Sequence, residues 1–189
     1  SSRFAAQLLR LQDLDKIEPD ALDYPYYDQA LAKSMRRETE ELFNYMVHND
    51  RPMPELLTAD YTFVNERLAA HYKIPGVLGN RFRRVEITDN NRRGLLRQGG
   101  ILTMTSHADR TSPVIRGKWI MERIVGYEIP PPPAAVPAVE PDVRGATTIR
   151  QQLESHRKLE SCAACHTKID PPGFALESFD VVGGYRKAY

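Results

Sequence analysis

No stretch of the 189 residues approaches the roughly 20 consecutive apolar positions that a membrane-spanning helix needs. Neither sign of charge prevails, since 26 Lys and Arg face 25 Asp and Glu. Without a basic excess there is no electrostatic case for a nucleic-acid partner, and no lysine-rich face argues for an anionic membrane surface. No secretory signal opens the chain, because SSRFAAQLLRLQDLD is already an amphipathic helical pattern. The natural N-terminus is therefore expected upstream, with the chain a mature form, a processed fragment or a piece cut for expression. No segment repeats at a fixed period. Cysteine is scarce: there are two, both inside one five-residue stretch, so there is no disulfide framework to read.

What is present suits helices. Apolar residues make up 41% of the chain, enough to bury a core. Phe4 to Leu14 carries Phe4, Leu8, Leu9 and Leu11 at helical spacing, and Pro25 breaks the following stretch. Asp28 to Val47 reads as a long amphipathic helix with Leu31, Met35, Leu42, Phe43 and Met46 on its apolar side. Short helices are expected from Arg51 to Gly76, then a short strand within Arg81 to Thr88 and a turn at Asp89, Asn90 and Asn91. Leu95 to Ser106 is a Gly-flanked apolar stretch. Pro113 to Val125 reads as a helix turning Val114, Trp119, Ile120, Ile124 and Val125 to a core. Prolines then remove donors and fix an extended path, so residues 129–146 read as a semi-rigid strap. Thr147 to Glu160 is a further helix.

That helix delivers the chain to Cys162-Ala163-Ala164-Cys165-His166, the C-x-x-C-H attachment pattern of a c-type haem. Two thiols must add to two vinyl groups along one porphyrin edge, and a two-residue gap in a helical turn sets that separation. The next residue brings its imidazole beneath the ring as the proximal iron ligand. A C-x-x-C pair also serves as a redox dithiol, which calls for a strand-to-helix βαβ setting that this chain does not show. It also serves as half of a zinc site, which calls for two more ligands, and there is no second cysteine pair. Ile169 to Phe174 (IDPPGF) reads as a turn that lets the chain double back, with Phe174 placed to cover the haem. Phe174 to Phe179 reads as a short apolar helix, either walling a haem crevice or filling ordinary core. The whole is expected to be mainly α: a helical domain (1–128), the strap (129–146), and a small cytochrome c-like haem segment (147–189) packed against it. That last segment is too short to hold a core without a cofactor, a crosslink or a partner surface.

The segments SHADRTSPVIRGKWIMERIVG and HRKLESCAACHTKIDPPGFALESFDVVGGYR, with the proline run between them, resemble the large multidomain cytochrome c proteins abundant in planctomycetes. The earlier stretch from DKIEPDALDYPYY to ERLAAHY is similar to the helical domain that precedes that segment there. The resemblance implies an exported, periplasmic bacterial protein with one covalent haem c, attached at Cys162 and Cys165 and ligated by His166. It also implies a longer parent protein, and a redox partner protein or neighbouring haem subunit within a larger complex.

The second axial position of the iron has four readings. Met104, before a turn, would raise the potential, and His107, in a polar, loop-like setting, offers an imidazole with Asp109 or a carbonyl to orient it. His156 sits on the helix leading into the motif, where the resemblance places a recurring His-Arg pair. The fourth reading is an open site. Met121, beside Trp119, reads as core, and His48 and His71 read as helix-surface residues. Arg110, Arg116, Lys118 and Arg157 are candidates for haem propionates, each with solvated charge as the plainer reading. Asp170 reads as a turn cap, and Asp180 with Arg186 as a structural ion pair. Three functions follow: a single-electron carrier, a peroxidase-like haem enzyme in which His107 and Arg110 serve an open iron, or an assembly module stapled by haem.

Overall fold

A computed structural model describes residues 2–131, 149–158 and 160–187. The fold is mainly α with one two-stranded sheet, as expected, and no described helix is long and apolar enough to cross a membrane. The chain divides into two compact units, Ser1–Ser112 with Leu176–Tyr189, and Pro113–Ala175. These limits fall at different places from the proline-based boundaries. The strap, beyond residue 131, lies outside the described residues.

The first unit opens with α1 (Ser2–Leu8), which is followed by a separate 3-10 turn at Leu11–Lys16. The single helix expected over Phe4 to Leu14 is broken at Arg10, which adopts a left-handed backbone with φ 55°. Helix α2 (Gln29–His48) begins where the Asp28 carboxylate accepts from the Leu31 N–H at 2.7 Å, satisfying one orphan donor of the first turn. Leu31, Met35, Leu42, Phe43 and Met46 are buried along its inner face, as the spacing predicts.

Next come α3 (Glu55–Thr58), β1 (Tyr61–Val64), α4 (Glu66–Tyr72) and β2 (Arg83–Glu86). The strands pair antiparallel, with Tyr61 opposite Glu86 and Val64 opposite Arg83. The strand β1 corrects the expectation of helices alone between Arg51 and Gly76. Its four side chains, Tyr, Thr, Phe and Val, are β-branched or aromatic and all buried, and a partner strand follows. Asn65 then caps α4 through the Leu68 N–H.

Helix α5 (Gly99–Met104) is buried throughout. Beneath it lies a buried polar chain. Thr62 and Tyr72 donate to the two carboxyl oxygens of Glu38, each at 2.6 Å, and the Gly99 N–H donates to the Tyr72 hydroxyl at 2.6 Å. Burial pushes the Glu38 carboxyl up to about 7, against the opposing pull of the Thr62 and Tyr72 hydrogen bonds and of Arg92.

The C-terminal residues of this unit pack as turns rather than as the apolar helix expected over Phe174 to Phe179. Leu176, Phe179, Val181 and Val182 are buried, and Phe179 forms a bridge with Tyr185. The Asp180 carboxylate closes the turn by accepting from the N–H groups of Val182 (3.0 Å) and Gly184 (2.7 Å). His71, expected at the surface, lies 2.8 Å from the Val182 carbonyl through Nε2, and burial lowers its pKa.

The second unit holds α6 (Pro113–Ile120), α7 (Ile149–His156) and α8 (Glu160–Phe174). Helix α6 runs on into a π-helical turn at Met121–Val125, which ends at a left-handed Gly126. That change of winding moves Val125 off the core side, and it is 61% exposed instead of buried as its spacing predicts. Trp119 and Ile120 are buried as expected. Helices α6 and α8 cross backbone against backbone, because glycines stand at the point of contact.

Candidate functional site

Helix α8 runs straight through the C-x-x-C-H motif. Cys162, Cys165, His166, Ile169, Asp170 and Gly173 occupy positions i, i+3, i+4, i+7, i+8 and i+11 and so share one side of the helix. Cys162 is buried, Cys165 is half-buried, and neither forms a disulfide.

The turn expected from Ile169 to Phe174 is instead the last part of this helix, with Pro171 and Pro172 inside it. The φ that proline fixes is itself helical. The two missing N–H groups leave the carbonyls of Thr167 and Lys168 without their usual donors. Both residues are exposed, so water can serve those carbonyls. The Ala175 N–H donates to the Pro171 carbonyl at 3.2 Å and closes the final turn.

Continuing the helix changes the role of Asp170. It falls four residues after His166, and its Oδ1 lies 2.9 Å from His166 Nδ1. A carboxylate only accepts, so Nδ1 carries the proton, and in the neutral ring Nε2 keeps the lone pair. Asp170 has no exposed surface, and its Oδ2 lies 3.8 Å from Arg157 Nε, within ion-pair range but beyond a hydrogen bond. The assignment of Asp170 as a turn cap is thereby corrected. The i, i+4 spacing was readable in the sequence, and the Pro-Pro-Gly run concealed it.

The other sequence candidates are placed as follows. Phe174 ends α8, half-buried, with the Arg150 guanidinium 4.3 Å from its ring centre. Arg157 stands beside Asp170. The backbone of His156 ends α7, and its side chain lies outside the described residues. Arg116 is fully buried, and Lys118 faces Glu122 at 3.7 Å. Met104, buried at the end of α5, and His107 belong to the first unit. His107 is exposed in a tight turn, where its N–H donates to the Arg110 carbonyl. Asp109, considered as a partner for His107, pairs with Arg110 at 2.9 Å. The structure thus carries Cys162, Cys165 and His166 on one helix and brings His166 and Arg157 together through Asp170, all within the second unit. Among the described residues, no group of three or more His, Cys, Asp or Glu side chains is arranged to hold a metal ion.

Residues 92–189, just over half of the chain, match a family described as PSCyt3, protein of unknown function (DUF1588). Residues 1–74 match a second, PSD4, protein of unknown function (DUF1592). Both are domains found in planctomycete-type cytochrome c proteins, in keeping with the resemblance carried by the motif and its flanks. No curated protein and no solved structure matches the chain. The longer of the two matches covers α6, α7, α8 and the whole C-x-x-C-H stretch, and by it the chain belongs to the PSCyt3 (DUF1588) family.

Proposed function

We propose that this chain is a c-type cytochrome domain, passing single electrons through one covalent haem c as part of a larger protein or assembly outside the cytoplasm. The observation that carries the reading is the shared helix side of Cys162, Cys165 and His166, with His166 Nδ1 engaged by Asp170. The donor set has the right chemistry for such a group. Two thiols free of any disulfide stand one helical turn apart, and the adjoining imidazole has its coordinating nitrogen defined by the hydrogen bond at the other.

In this reading Cys162 and Cys165 hold the haem through thioethers and His166 Nε2 is the proximal ligand. The haem supplies a one-electron iron couple. The protein's own contribution is to fix the imidazole and to carry the motif on a helix held firmly by α6. Export follows from the chemistry, since covalent haem attachment in bacteria takes place outside the cytoplasm. The partner is a redox protein or a neighbouring haem subunit.

The test is the visible spectrum of the ferrous chain with and without carbon monoxide, after periplasmic expression with haem maturation. A low-spin haem spectrum unmoved by carbon monoxide supports an electron carrier. A large shift on adding carbon monoxide moves the reading to a haem enzyme with an open iron position. A chain with no haem spectrum returns the cysteines to a dithiol or metal role.

A further inference from the structure

Burying an ionised carboxylate is unfavourable unless its oxygens find partners. Asp170 has no exposed surface, and its two oxygens face two different groups. Oδ1 lies 2.9 Å from His166 Nδ1, and Oδ2 lies 3.8 Å from Arg157 Nε. One neighbour is the histidine of the motif, four residues earlier on the same helix. The other stands one residue beyond the end of α7.

Resting on the haem reading above, we propose that Asp170 is a positioning residue for the iron site. Its carboxylate fixes the His166 ring as an Nδ1–H donor, leaves Nε2 as the coordinating nitrogen, and gives that imidazole partial anionic character, which lowers the reduction potential of the bound haem. A carboxylate on the far nitrogen of a ligating histidine makes the ligand more basic. A more basic ligand stabilises the more highly charged ferric state, and the potential falls. Arg157 opposes part of this effect, because its guanidinium draws on the same negative charge. A purely packing role is separable from this one, since asparagine has nearly the same shape and can still accept from Nδ1–H, yet carries no charge.

The experiment compares the wild-type chain with Asp170→Asn, both matured with haem. Covalent attachment is read by haem staining on a denaturing gel, and the potential by spectroscopic redox titration. The expected result is covalent haem in both, with a higher potential in Asp170→Asn. A haem-bearing variant with an unchanged or lower potential overturns the role of Asp170 and leaves the cytochrome reading standing. A wild-type chain with no covalent haem overturns both. Should only Asp170→Asn fail to take up haem, the nitrogen resonances of nitrogen-15-labelled histidine in the wild-type chain prepared without haem decide the matter. Protonation of His166 at Nδ1 supports the proposal, and protonation at Nε2 overturns it.

Discussion

Gly117 faces the carbonyl oxygen of Ile169 so closely that a Cβ added to the glycine would lie 1.7 Å from that oxygen. The relation is reciprocal. A Cβ on Gly173 would lie 1.8 Å from the carbonyl oxygen of Pro113. Each contacted carbonyl lies four residues before the other glycine, so the two helices meet over one turn of each. At such a crossing the backbones themselves are the packing surface. Helix α8 is held in this way one residue before Asp170, on the side that carries the motif.

Replacing either glycine by alanine therefore forces α6 and α8 apart. The expected loss is about 1–3 kcal/mol for Gly117→Ala and for Gly173→Ala, toward the upper end because backbone and not a flexible side chain must give way. The double variant is expected to lose less than the sum, since separating the helices for one methyl makes room for the second. Urea unfolding of the four chains checks this. Additive losses would mean that the glycines do not share one crossing.

Glu38 predicts a pH dependence with a definite sign. Its carboxyl sits near 7 in the fold against an ordinary 4.5, so between those values the folded chain holds a proton that the unfolded chain has lost. Its contribution is fully present below about 4.5 and is lost as pH rises through about 7, on the order of 3 kcal/mol in all. His71 works in the opposite direction, because burial lowers its pKa from 6.5 and stability from it is lost as pH falls. Comparison of the wild type with Glu38→Gln isolates the first effect. Urea midpoints measured from pH 4 to 8 should fall with rising pH more steeply in the wild type than in Glu38→Gln. Parallel profiles would refute the assignment.

Periodicity found the elements that are long and one-sided. Helix α2 was legible to within a residue or two because its apolar positions recur over five turns and Asp28 marks its start. The strand β2 was legible from its alternation, whereas β1 was hidden between short helices and is defined by its partner. The C-x-x-C-H motif stands out in the sequence by its spacing, but the prolines after it predict a turn where the structure continues the helix. The helix tolerates Pro171 and Pro172 because the carbonyls they deprive belong to exposed residues. The close approach at Gly117 leaves no local trace in sequence, since the opposing oxygen comes from a residue far along the chain.

Arg92 ties the C-terminal turns of the first unit to its core. Its guanidinium donates to the Gly183 carbonyl at 2.7 Å and lies 4.2 Å from the centre of the Tyr72 ring and 5.6 Å from that of Phe179. Lysine presents a point charge where a planar group is stacked and bonded, so Arg92→Lys is not a mild change here. The expected cost is about 1.5–3 kcal/mol. Amide hydrogen exchange should quicken across residues 176–187 while the amides of α2 keep their protection. Uniform acceleration along the first unit would mean that the arginine supports the whole core and not this segment.

The two cysteines differ in burial, and that difference lets a role in packing be separated from the proposed role in haem attachment. Cys162 is 6% exposed and Cys165 is half-buried. In the chain prepared without haem, Cys162→Ala should be the more destabilising, by about 1 kcal/mol, because it removes a packed sulfur, and Cys165→Ala should be nearly neutral. After haem maturation the order disappears. Each single variant should retain one thioether, and its ferrous absorption band should move to longer wavelength because one vinyl stays conjugated with the ring. The double variant should carry no haem on a denaturing gel. If either single variant kept the wild-type band position, the cysteine removed would not be an attachment point. A difference between the variants confined to stability would then be a property of packing alone.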